Sequence, residues 1–262
     1  MAIERIIPGT KGWDAYYSNH ICRYEFAEHI IDKIKTNNIL DAACGVGYGS
    51  KFLSQKNPHC QIVSIDRSDI ALSLANSKFS SPQINYIEDD CHTLAEASKF
   101  GPFDAIVSFE TLEHLPYPEK FIQSCYSNLS KEGHLIISTP NQLVSSPTGE
   151  LNWEFHEKEY KPQELKKILF DYGFTSIELY GQQLTPIGKL REQIRAEFNK
   201  TNSNPFIRIG RKIQKLFKGH DFLAVLPEQI EDFEIKKYDS VEDINKLGTS
   251  GPFVLIAVCK KI

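Results

Sequence analysis

Short apolar runs recur at about 37–43, 60–66, 84–88, 103–110 and 133–139, and stretches with helical spacing separate them. Strand-length runs alternating with helices of ten or so residues predict βαβ crossovers, and so a parallel sheet covered on both faces. A sixth unit follows, in which Pro162 opens a helix through Leu165, Ile168 and Leu169, Gly173 stops it, and 174–181 reads as a strand. The run at 252–260 is continuously apolar, as expected of a strand buried on both faces. Between these last strands lie roughly 70 residues, about 182–251, too long for a plain connection. Helical spacing at 187–198 and 206–217, separated by Thr201-Asn202-Ser203-Asn204-Pro205, predicts a helical cap there.

The chain has 262 residues, enough for one large α/β domain with an insertion. A formal net charge of −4 leaves no global basic field to neutralise a phosphate backbone, which argues against nucleic acid as a partner. The six cysteines are scattered, with no C-x-x-C pair and no short-spaced Cys/His cluster, so they read as reduced thiols. No Asp/His ligand cluster is recognisable either, so no metal site is read from the sequence, although ligands distant along the chain would not show in it. The first residues lack the basic and apolar character of a signal sequence, and no apolar run approaches the roughly 18 residues of a membrane span. A cytoplasmic location is the expectation.

Candidate chemistry begins at Ile39-Leu40-Asp41-Ala42-Ala43-Cys44-Gly45-Val46-Gly47-Tyr48-Gly49, a strand ending in an acid and then a glycine loop. Such a loop lets the backbone come close to a nucleotide-like ligand, and the helix behind it aims free N–H groups at the same place. A dinucleotide loop reads G-x-G-x-x-G and would need glycine at position 50, where the chain has Ser50. The pattern D-x-x-C-G-x-G-x-G instead resembles motif I of the class I S-adenosylmethionine (SAM)-dependent methyltransferases. That resemblance implies a Rossmann-like α/β fold: a seven-stranded, mostly parallel sheet whose last strand is inserted antiparallel between its fifth and sixth neighbours. The expected parts are an N-terminal helical segment (1–36) over the SAM site, a SAM-binding core (37–181 and 252–262) and the helical cap (182–251).

Further motifs extend the resemblance. The second predicted strand ends in Asp66, 21 positions beyond Gly45, where a carboxylate can accept both ribose hydroxyls, and Arg67 follows it. A helix N-cap is the competing role for Asp66, although Ser68 or Asp69 would serve there equally well. Glu88-Asp89-Asp90-Cys91 resembles the family's adenine-binding G-D-A segment, with Asp90 and Cys91 aligned to the contacting pair and Asp89 the second choice. The stretch from Phe103 through Phe109-Glu110 to Leu112-Glu113-His114-Leu115 resembles F-D-x-V-x-S-x-x-x-L-E-H-L of the family's small-molecule members. The resemblance sets Phe109 and Glu110 near the methionine amino group and His114 near the transferred methyl. It likewise assigns loop positions Asp41, Ala42, Cys44, Gly45 and Gly47 to the cofactor.

Methyl transfer is a displacement at a sulfonium carbon, so the main task is holding nucleophile, methyl and sulfur in line, about 3 Å apart. A neutral hydroxyl is a poor nucleophile, and an imidazole that takes its proton contributes ~10²- to 10⁴-fold. His114 is the candidate base and His156 the reserve, and the competing role for a histidine before Leu115-Pro116 is to satisfy a loop carbonyl. Ser138-Thr139-Pro140-Asn141 and the later F-H-x-x-E-Y stretch resemble sugar O-methyltransferases of bacterial surface-polysaccharide gene clusters. Trp153 and Phe155 would then cover an acceptor sugar, unless they form a hydrophobic staple for the helix at Pro162. In the N-terminal segment, His20-x-x-Arg23-Tyr24 resembles a helix that folds over the methionine end. Arg23 would pair the carboxylate, Tyr16 would cover the sulfonium, and Tyr24 would do the same or touch the acceptor, unless these aromatics serve to pack the core.

The 207–218 stretch carries Arg208, Arg211, Lys212, Lys215 and Lys218 beside an apolar stripe. It reads as a solvated face over a core stripe, or as a surface for an anionic acceptor or peripheral membrane contact. The resemblance implies SAM as cofactor, S-adenosylhomocysteine (SAH) as product, and O-methylation of a sugar or sugar-linked group in capsule or surface-glycan biosynthesis. A quinone or secondary-metabolite methyltransferase, a catalytically silent SAM-binding regulator and a NAD(P) oxidoreductase are the rival readings.

Overall fold

The computed structural model describes residues 7–202 and 229–262. In chain order the elements are α1 (Lys11–Ile34), β1 (Asn38–Ala42), α2 (Tyr48–Lys56), β2 (Gln61–Asp66), α3 (Asp69–Phe79) and β3 (Ile84–Glu88). Then come β4 (Phe103–Phe109), a 3-10 turn (Leu112–His114), α4 (Pro118–Asn128), β5 (Leu129–Pro140) and a short α5 (Gln142–Ser145). The chain continues through α6 (Pro162–Asp171), β6 (Ser176–Leu184), α7 (Pro186–Asn202), β7 (Phe233–Tyr238), α8 (Val241–Asn245) and β8 (Val254–Lys260).

The strands form one sheet in the order β3-β2-β1-β4-β5-β8-β6-β7. β1 pairs in parallel with both β2 and β4, which makes this gap the point where the winding reverses. β8 lies antiparallel between β5 and β6, as the resemblance implies. Side chains alternate between two buried faces. Leu40, Ile106, Leu135 and Ile137 pack with Phe121, Leu165 and Leu169 on one side, and Ile39, Ala105, Val107 and Ile136 pack with Ile21, Ile31 and Leu53 on the other. The strands therefore read as unbroken apolar runs, because a parallel sheet covered on both faces needs apolar residues at both parities.

Among the described residues the sheet has eight strands rather than seven, and the segment 182–251 is not wholly a helical cap. β6 runs on to Leu184, and β7 pairs antiparallel with it as an edge strand. Phe233-Glu234-Ile235-Lys236-Lys237-Tyr238 hides from an apolar-run search because only one side of it is covered. Lys237 pairs with Glu178 and Lys236 with Glu234, charges that suit an exposed edge. The helix expected at 187–198 falls within α7, which docks where Gly188 presents no side chain. A Cβ there would lie 2.2 Å from the Asp232 carbonyl oxygen, and Arg191 pairs with Asp232 at 2.9 Å. The expected helix at 206–217 and its basic stripe lie outside the described residues. Among the described residues no helix is long and apolar enough to cross a membrane.

α1 lies along the sheet face beside α2, and its Ile21, Tyr24, Ala27 and Ile31 are buried at helical spacing. The approach is close: a Cβ on Gly49 would fall 1.9 Å from the Tyr24 ring. Gly49→Ala is expected to destabilise the protein by about 1–3 kcal/mol through overpacking. Urea denaturation measures this, and an unchanged midpoint would contradict the α1–α2 contact.

Candidate active site

A cavity of about 1050 Å³ opens at the C-terminal ends of β1, β2, β4 and β5, walled on one side by α1. Among the expected site residues, Tyr16, Arg23, Tyr24, Cys44, Gly45, Asp66, Arg67, Asp89, Asp90, Cys91, Phe109, Glu110, His114, Trp153, Phe155 and His156 line it. Asp41, Ala42 and Gly47 do not. Ala42 is buried in its strand, and the other two support the loop from behind.

The loop after β1 turns through three left-handed residues, Ala43 (φ 66°), Gly45 (φ 58°) and Gly47 (φ 85°). Gly47 is also fixed by packing, since a Cβ there would lie 2.5 Å from the Tyr86 hydroxyl. The Asp41 carboxylate points away from the cavity and accepts the Ser50 hydroxyl at 2.6 Å and the Tyr24 hydroxyl at 3.2 Å. Complete burial, with Asp66 nearby adding to it, pushes the Asp41 carboxyl up to about 7 against those two hydrogen bonds. Tyr24 thus turns its hydroxyl behind the loop and offers the cavity only its ring.

Asp66 accepts the Gly45 N–H at 3.0 Å and the Ser68 N–H at 2.9 Å, which ties the glycine loop to the end of β2. Ser68 is the N-cap of α3, so the competing role for Asp66 is already filled. In the next loop Asp89 and Asp90 part company. Asp89 is buried and accepts the backbone N–H groups of Asp90, Glu96 and Ala97 at 2.8, 3.0 and 2.8 Å. Asp90 is exposed, and bonds from the His92 amide and ring hold its carboxyl below the usual range.

Arg23 is fully buried in the α1 wall. Its Nη1 donates to Asn19 Oδ1 at 2.8 Å and to Gln182 Oε1 at 2.7 Å, while Nε and Nη2 have no hydrogen-bond partner among the described residues. A buried guanidinium with unmatched donors beside a cavity fits an anionic ligand group. Gln182 and Asn19, linked at 2.9 Å, were not visible as site residues, because their meeting joins β6 to α1. His20 also lines the cavity, and burial beside Arg23 holds its imidazole well below its ordinary pKa.

At the other end, Glu110 takes a left-handed conformation (φ 51°) and its carboxylate accepts the Ser138 hydroxyl at 2.7 Å. Backbone strain of this kind, here and at Ala43, concentrates at functional sites. Beyond it the segment after α5 folds back, and the Glu157 and Lys158 N–H groups donate to the Glu113 carbonyl at 2.7 and 3.2 Å. His156 thereby meets His114, with ring centroids 4.9 Å apart. His114 Nδ1 lies 2.9 Å from the Phe155 carbonyl, which only accepts, so Nδ1 carries a proton and Nε2 is the basic nitrogen of the neutral ring. His156 Nδ1 is set the same way by Glu159 at 2.9 Å. Serine hydroxyls at 145 and 146 also donate to Glu159, and these bonds hold its carboxyl below the usual range against burial.

Trp153 (54% exposed) and Phe155 (38%) stand at the rim with Tyr16 (47%). The staple role for the α6 helix falls instead to Tyr160 and Leu165, which share one buried cluster. Glu113, His114 and His156, which the sequence shows no reason to group, bring potential ligating atoms within 4.8 Å of one another. His114 and His156, 42 positions apart, meet through the fold-back of the 141–160 segment.

Residues 20–179 match the methyltransferase-domain family. The chain is 26% identical to a probable SAM-dependent methyltransferase of Mycobacterium tuberculosis, over 68% of this chain and 62% of that protein. It is 28% identical to a ubiquinone biosynthesis O-methyltransferase of Marinobacter nauticus, over 58% of this chain and 69% of that one. The fold is shared with a SAM-dependent methyltransferase from Archaeoglobus fulgidus (TM-score 0.54, 17% identity, 91% of this chain and 94% of that one). It is also shared with the N-methyltransferase NodS from Bradyrhizobium japonicum bound to SAH (TM-score 0.51, 14% identity, 94% and 86%). The chain belongs to the SAM-dependent methyltransferases, with the class I fold and SAM as the family's cofactor. It spans just under two thirds of the mycobacterial relative's length.

Asp41 yields a pH prediction. Its carboxyl holds a proton more tightly folded (about 7) than unfolded (near the ordinary 3.8), so the folded state carries the extra proton between those values. Stability is therefore lost as pH rises through that window, by at most roughly 4 kcal/mol. Comparing urea unfolding of the protein and its Asp41→Asn variant from pH 5 to 8 isolates this contribution. Parallel stability curves would refute it.

Proposed function

We propose that the chain is a cytoplasmic SAM-dependent O-methyltransferase whose acceptor is a hydroxyl of a sugar or sugar-linked group, in the biosynthesis of a bacterial capsule or surface glycan. The observation that carries the reading is a single cavity with unmatched Arg23 donors in one wall and two imidazoles at its far end. Arg23 would bind the methionine carboxylate, Glu110 the amino group, Asp66 the ribose hydroxyls and Asp90 the adenine amino group. Asp89 is the weaker adenine candidate, since its oxygens already hold three backbone N–H groups.

When bound, the cofactor supplies a methyl group on a sulfonium sulfur, which keeps the electron pair of the broken bond while the acceptor oxygen gains the methyl. Trp153 and Phe155 lay flat apolar faces against the acceptor, and Glu159 aims the basic nitrogen of His156. His114 or His156 takes the acceptor's proton as the new bond forms. The aromatic rim also suits a quinol ring, a second reading favoured by relatives named ubiquinone biosynthesis O-methyltransferase.

Incubation with SAM and a panel of nucleotide sugars, sugar phosphates and quinols, followed by mass spectrometry, tests both. A sugar heavier by one CH₂, with matching SAH, supports the first reading, and methylation of a quinol alone replaces it with the second. His114→Ala is expected to keep SAH affinity while turnover falls ~100-fold or more. Unchanged turnover removes His114 as the base. Arg23→Met should weaken SAH binding about 10- to 100-fold by calorimetry, the worth of a charged hydrogen bond. Unchanged affinity would exclude the carboxylate assignment.

A further inference from the structure

We propose that Glu113, His114 and His156 form a binding site for one divalent transition-series cation, open on its cavity side to two oxygens of the acceptor. Their ligating atoms lie within 4.8 Å of one another, and all three residues line the cavity. Glu113 is 1% exposed. Thr139 fixes its Oε2 at 2.9 Å, while Oε1 has no hydrogen-bond partner among the described residues and lies 3.8 Å from His114 Nε2. A buried carboxylate oxygen without a donor is costly, and a cation at this point removes the cost.

The surrounding bonds are those of a metal site. A ligating histidine commonly donates its other ring N–H to a carboxylate or a backbone carbonyl, which fixes the tautomer. Here the Phe155 carbonyl does this for His114, and Glu159 does it for His156. The two N–H groups that donate to the Glu113 carbonyl tie the loop carrying His156 to the turn carrying the other two ligands. The three side chains are thus neighbours before any cation arrives, and binding one would draw their ligating atoms closer together.

Two imidazoles and one carboxylate suit Mn²⁺, Fe²⁺, Co²⁺ or Zn²⁺ rather than Mg²⁺ or Ca²⁺, which prefer oxygen throughout. Three protein ligands leave positions for acceptor oxygens, as in catalytic metal sites. The consequence for substrate rests on the acceptor site proposed above: an acceptor with two adjacent oxygens, such as a vicinal diol, would chelate the cation. The bound hydroxyl would lose its proton to water more readily, and the imidazoles would act as ligands instead of bases.

Chelator-stripped protein titrated with Mn²⁺, with free Mn²⁺ followed by electron paramagnetic resonance, tests the binding directly. The expected result is one Mn²⁺ per chain, displaced by Zn²⁺ but not by equimolar Mg²⁺. Glu113→Gln and His156→Ala should abolish uptake, and Glu159→Gln should weaken it about 10- to 100-fold. SAH binding by calorimetry should persist in His156→Ala and Glu159→Gln, which reports intact folding independently of the metal. No uptake at millimolar Mn²⁺, Co²⁺ or Zn²⁺, or uptake that persists in both ligand variants, overturns the site. Displacement by equimolar Mg²⁺ overturns the cation class. SAH binding without metal uptake would leave the methyltransferase reading standing and return the imidazoles to the role of bases.

Discussion

Because β1, β2, β4 and β5 all run parallel, the loops leaving them emerge at one edge of the sheet, and everything proposed for this protein happens there. The reversal of winding at β1 parts the first and fourth loops and leaves room between them. The backbone has to turn back at once to line that room. Ala43, Gly45, Gly47 and Glu110 do so through left-handed conformations, two of them in residues that carry side chains.

The cavity wall that α1 supplies depends on burial of polar groups that only a tertiary contact could satisfy. Arg23 reaches across to Gln182 on β6, and Tyr24 reaches under the glycine loop to Asp41. The first link orients a cation toward the cavity, and the second buries an acid that would otherwise be solvated. Asp41 therefore acts through the loop it supports: Ser50 and Tyr24 are the groups its oxygens touch.

The acceptor end is governed by the segment between β5 and α6. Asn141 and Tyr160 pair at its two ends, and the Glu113 carbonyl anchors its middle. This closure makes one cluster out of Glu113, His114, His156 and Glu159. The same closure presents Trp153 and Phe155 at the rim, apart from the buried Tyr160–Leu165 pair that seats α6.

The alternation of apolar runs and helical stretches by itself determined a parallel, doubly covered sheet, and the spacing of Gly45 and Asp66 singled out two of the loop ends that line the cavity. Both are local patterns, written in consecutive residues and repeated at the period of the strand or helix. β7 escaped such a reading because an edge strand covered on one side mixes charge with apolar residues and is recognised only by its partner β6. What the three-dimensional structure decided was which acid faces outward and which is tied to the backbone, Asp90 against Asp89, and that His114 meets His156. Those outcomes depend on hydrogen bonds and contacts between residues far apart in the chain, and no local period encodes which loop will fold back onto which strand end.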